Sequence, residues 1–132
     1  MTKKYIKCFS VLLCVLLVCA TFLSCSQKNV EVGKFKIDDY SYYIENFAKD
    51  INVGKVEDAD DAISKADKLF VETYGEENME DEKPYQAFFD EENKCWYVKG
   101  TLEQPLFGNK KGGVAEVIFD VDGNVLALWH GK

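Results

Sequence analysis

Cys95 and His130 are the first residues that could do chemistry. Beyond an N-terminal segment holding Cys8, Cys14, Cys19 and Cys25, Cys95 is the lone thiol, and His130 is the lone imidazole of the chain. A thiol activated by an imidazole is a nucleophile. Both fall in apolar runs that read as strands, however, and Cys95 directly precedes Trp96, a setting in which free cysteine is usually buried packing. Structural roles are expected for both. One cysteine and one histidine far apart also lack the ligand spacing of a zinc site. The acidic run Glu76, Glu77, Asn78, Met79, Glu80, Asp81 and Glu82 lacks the alternating ligands and central glycine of a calcium loop. It is expected to be a solvated loop able to dock against basic residues of a partner, since complementary charge speeds encounter. Gly112 and Gly113 precede a strand, so no helix dipole stands behind them to hold a phosphate. Neither metal nor cofactor is expected.

The elements that must position these residues are clearest toward the end of the chain. Cys95–Leu102, Val114–Phe119 and Val125–His130 are rich in aromatic and β-branched residues. Asp122-Gly123 between the last two is a hairpin signal, because glycine takes the positive φ of a tight turn. Tyr85–Phe89 reads as a further strand, joined to the next by the polar turn Asp90–Lys94. Residues 103–113, with Pro105 and Gly108, form a longer connection of the kind that often carries partner contacts. Trp96 and Trp129 read as core or half-core residues unless exposed on an open sheet face, where tryptophan commonly dominates interface energy.

Upstream, Ala59, Ala62, Ile63, Ala66, Leu69 and Phe70 fall on one face of a helix, capped by Asp58 and ended by Gly75. Ile37, Tyr40, Ile44, Phe47 and Ile51 recur at helical spacing and predict a second amphipathic helix, widened by Tyr42 and Tyr43. Helices before a run of strands indicate an α+β fold, with both helices on one face of a curved antiparallel sheet of about four strands.

The 132 residues, 47% hydrophobic, suffice for one domain with a real core. Lys3, Lys4 and Lys7 followed by the nearly uncharged run Cys8–Leu23 read as a targeting segment, and Phe22-Leu23-Ser24-Cys25 resembles a bacterial lipobox. The expectation is a signal peptide over 1–24, a lipidated Cys25, a tether to residue 36 and a single domain over 37–132. An uncleaved membrane anchor and cleavage without lipid are the alternatives. Removing the three leader lysines from 16 basic side chains leaves 13 against 23 acids, a balance of −10. That excludes the basic face a nucleic-acid binder needs and suits a cationic partner, although acidity also serves solubility alone.

From Gly54 to Lys132 the chain resembles the bacterial immunity proteins with a nuclear-transport-factor-2-like (NTF2-like) fold. The resemblance rests on an ordered set: Ala62, Ala66 and Phe70 before Tyr74-Gly75, then Lys83-Pro84-Tyr85, Trp96 through Gly100-Thr101-Leu102, Gly112-Gly113-Val114-Ala115, Asp122-Gly123-Asn124, and His130-Gly131-Lys132. It implies a small α+β cone that binds and neutralises a toxin of a polymorphic toxin system and is not an enzyme. The recurrent positions, here Trp96, Gly100, Thr101, Gly112, Gly113, Asp122, Gly123, His130, Gly131 and Lys132, are then partner contacts or structural residues. With the lipobox, the expected protein is an envelope-anchored immunity protein facing the periplasm or cell surface. The competing readings are a lipoprotein that binds a small ligand in the cone and an inhibitor of an envelope enzyme.

Overall fold

A computed structural model of the chain describes residues 30–102 and 112–132. The expected leader, Cys25, the first part of the tether and the connection over 103–111 lie outside the described residues. The fold is α+β, with five strands rather than four. Strands β2 (Gln86–Asp90), β3 (Cys95–Lys99), β4 (Ala115–Asp120) and β5 (Val125–His130) form the expected antiparallel meander. The additional strand, β1 (Val32–Lys34), lies in the stretch read as tether and pairs parallel to β2, with Gly33 opposite Phe88. Three residues are too few to show a period of two, which is why composition alone assigned them to a linker.

Side chains of β3 alternate between two buried environments: Trp96 and Val98 on one face, Cys95 and Tyr97 on the other. Both faces are covered, so Cys95–Val98 of β3 and Val117–Phe119 of β4 read as continuous apolar runs instead of alternating ones. Helix α2 (Ala59–Tyr74) covers the first face. The Asp58 side chain caps it by accepting from the Asp61 N–H at 2.9 Å. Ala62 and Ala66 let its first half sit close to the sheet, and Phe70 wedges the far end, meeting Tyr85 edge-on at 5.4 Å. Gly75, at φ 92°, ends the helix.

The first helical segment differs from its expectation in length and in place. It is a 3-10 turn over Ile37–Tyr40 followed by α1 (Ser41–Glu45). Ile37, Tyr40 and Ile44 pack with Tyr97, Ile118 and Ala127 on the second face, whereas Phe47 and Ile51 join the α2 side. The two helices therefore cover opposite faces, not one. Between them the chain runs along the start of β5, where Val125 N–H donates to Ile51 O and Val53 N–H to Gly123 O. The helical spacing of the five apolar residues was real, but they serve two cores.

One buried carboxylate fixes this arrangement. Asp90, at the end of β2, accepts from the Ile37 N–H at 3.0 Å and from the backbone and side chain of Asn93. These bonds, that from Ile37 foremost, hold its carboxyl down at about 2. In β5, Leu126 is an extra residue between Val125 and Ala127 opposite Phe119 and Ile118, a bulge that bends the strand.

Candidate functional site

Cys95 and His130 are not a pair. Cys95 opposes Asp120 at one end of the β3–β4 ladder, and His130 opposes Ala115 at the other end of β4. Five residue steps along β4 put those ends roughly 16–17 Å apart. Burial, aided by the negative charges of Asp120 and Asp90, pushes the Cys95 thiol up to about 11, so it stays protonated. Its Sγ meets the Asn93 carbonyl at 3.2 Å. Cys95 is packing.

His130 faces Glu82 instead, with Nε2 and Oε1 2.7 Å apart. Its Nδ1 lies 2.9 Å from the Gly131 carbonyl. Both ring nitrogens thus face acceptors, an arrangement that the doubly protonated imidazolium satisfies and a neutral ring does not. Desolvation works to lower the histidine's affinity for its proton, but the Glu82 carboxylate and the Gly131 carbonyl outweigh it and the net shift is upward. The second Glu82 oxygen accepts from the buried Ala115 N–H at 2.6 Å. Glu82 is only 7% exposed. It is the hub of this end of the sheet and does not belong to a solvated docking loop.

Half of the recurrent positions, Gly100, Thr101, Gly113, His130 and Gly131, cluster at that hub. Gly100 leaves room for the carboxylate: a Cβ there would come within 2.5 Å of Glu82 Oε2. Gly113 and Gly131 lie backbone against backbone, and a Cβ on Gly113 would collide with the Gly131 carbonyl. Thr101 donates its N–H to Glu82 O and its hydroxyl to Pro84 O. Tyr74 meets the His130 ring edge-on at 5.4 Å. Together Tyr74, Asn78, Glu82, Leu102, Gly113 and His130 line an open cleft of about 390 Å³.

The remaining expected site residues divide by exposure. Trp96 is buried beneath α2 and packs on Phe89 at 4.6 Å, so it contributes to the core and offers no contact surface. Gly123 is buried at φ 86°, where any Cβ would meet the Gly54 carbonyl. Asp122, Gly112 and Lys132 are exposed. The acidic run forms a short helix, α3 (Glu76–Glu80), that turns Met79 into the core and leaves Glu76, Glu77, Glu80 and Asp81 exposed. Glu82 and Asp90 were missed as structural centres because a lone carboxylate among polar neighbours carries no mark of burial.

Residues 61–132, comprising nearly all of α2, α3 and strands β2 to β5, match the family described as NTF2 fold immunity protein. No curated protein and no solved structure gives a significant match.

Proposed function

The chain belongs to the family of NTF2 fold immunity proteins, whose role is toxin neutralisation, and from that premise we propose that it binds and blocks a toxin of a bacterial polymorphic toxin system while held to the envelope by a lipid on Cys25. Family membership over α2 and the four-stranded meander is the observation that carries this reading. The interior agrees with it. Phe70, Met79, Val98, Val117 and Phe119 fill the space between α2 and the sheet, and among the described residues the cleft beside His130 is open. In that cleft both ring nitrogens of His130 are already engaged, Nε2 with Glu82 and Nδ1 with the Gly131 carbonyl.

Blocking is then a matter of shape and charge. A net charge of −7 for the whole chain, more negative without the leader lysines, suits a basic toxin. The exposed carboxylates of α3 would steer the encounter. The lipid would hold the protein where an incoming effector arrives.

The test is to co-produce the full chain with the toxin domain encoded beside it in a sensitive host. Growth rescue and co-purification of the two are expected. Unrescued growth together with no complex would refute the reading. A Cys25→Ser variant that still rescues from the cytoplasm but not against toxin arriving from outside would support the anchor.

A further inference from the structure

Only three large hydrophobic side chains are exposed among the described residues: Val32, Tyr42 and Tyr43. Two of them are neighbours on α1. Tyr42 is 71% exposed and rests edge-on against Tyr43. Tyr43 stacks on Trp129 at 4.1 Å, and Trp129 lies nearly parallel to Tyr97 at 6.2 Å, so the exposed rings end an aromatic stack rooted in the second core. Rings held this way lose little freedom on binding, the property that makes tyrosine and tryptophan effective interface anchors. Asp38, Asp39 and Glu45 lie exposed on the same segment, and none is in an ion pair among the described residues.

We infer that Tyr42 and Tyr43, backed by Trp129 and rimmed by Asp38, Asp39 and Glu45, are the surface that grips a cationic face of the toxin. The inference rests on the toxin-binding reading and adds its location. Three aspects of the patch point to that occupant. Unpaired carboxylates around an apolar centre match lysine or arginine around an apolar centre, and a cation over a tyrosine face gains further attraction. The same carboxylates would repel a second copy of this face and an anionic lipid surface. The segment also lies outside residues 61–132, the part shared with the family, so its side chains can suit one partner without disturbing the common scaffold. It is tied down from below by the Ile37–Asp90 hydrogen bond.

The test measures association and dissociation rates of the full chain, expressed with its own N-terminal segment and purified in detergent, on the immobilised toxin domain encoded beside it. Tyr42→Ala, which removes a mostly solvated ring, should raise the dissociation rate about tenfold or more, Tyr42→Arg should weaken binding further, and Tyr42→Phe should stay near wild type. Asp38→Lys with Asp39→Lys should slow association at low salt, with the difference shrinking at high salt. Glu72→Lys, exposed on α2 across the sheet, should leave dissociation unchanged. Melting curves matching wild type establish that the variants are folded. A wild-type chain that binds while Tyr42→Arg and the Asp38 and Asp39 reversal bind equally well overturns this inference and leaves the immunity reading standing. A wild-type chain that does not bind removes both. Loss of self-association, or of binding to phosphatidylglycerol vesicles, in Tyr42→Ala with toxin affinity intact would assign the patch to a second copy or to the membrane and overturn the inference.

Discussion

Glu82 closes the end of the sheet through both of its carboxylate oxygens, so its loss should be felt in two places. Glu82→Ala leaves the buried Ala115 N–H without an acceptor and the His130 imidazolium without its counter-charge. A cost of ~1–3 kcal/mol in denaturant unfolding is expected. Because His130 binds its proton more tightly when folded than its ordinary value of 6.5, the stability it adds is fully present below that value and is lost as pH rises through the folded one. The melting temperature should therefore fall as pH rises above 6.5 in the wild type, and less so in Glu82→Gln. Asp90 works in the opposite sense. Its carboxyl is depressed from 3.8 to about 2, so its contribution is present above about 4 and disappears as pH falls toward 2. A wild-type profile that loses no more stability in that acid range than Asp90→Asn would contradict the role assigned to it. The histidine was visible in the sequence as part of an ending shared with a family. Its partner was hidden in the run Glu76–Glu82, polar or charged at every position but Met79, where nothing local separates the inward carboxylate from the outward ones.

At the scale of elements, what could be read from the sequence depended on whether each was specified by its neighbours or by distant contacts. Helix α2 carries its own cap, apolar face and terminating glycine, and it forms where expected. Asp58→Ala should cost about 1 kcal/mol by removing the cap, and Phe70→Ala about 3–5 kcal/mol by emptying a site fully closed to solvent. The β4–β5 hairpin was equally plain from Asp122-Gly123, although the glycine is needed twice, for its positive φ and for the passage of the Gly54 carbonyl. Gly123→Ala should consequently destabilise far more than the ~1 kcal/mol typical of a turn glycine. Strand β1 and helix α1 escaped because both depend on remote partners: β1 on the backbone of β2, α1 on the second face of the sheet and on Asp90. A single amphipathic helix was the natural inference from the spacing of Ile37 through Ile51. The chain instead divides those residues between the two sides of the sheet.

For the whole molecule, the family assignment and the interior argue for function by contact rather than by conversion. The scaffold over residues 61–132 is held by buried glycine crossings and the Glu82 hub. The contact surface proposed above lies on the short segment before it. A protein that works this way would act by stoichiometry, which separates it from the ligand-binding and enzymatic alternatives more sharply than any single substitution can. The decisive measurement is a titration of the toxin domain's activity with increasing amounts of this protein at toxin concentrations well above the dissociation constant. Our account predicts a linear fall to zero at a fixed small molar ratio, unchanged by incubation time and accompanied by a complex of that same ratio. Inhibition by catalytic amounts that deepens with time, or an active toxin in the presence of a large excess, would contradict it.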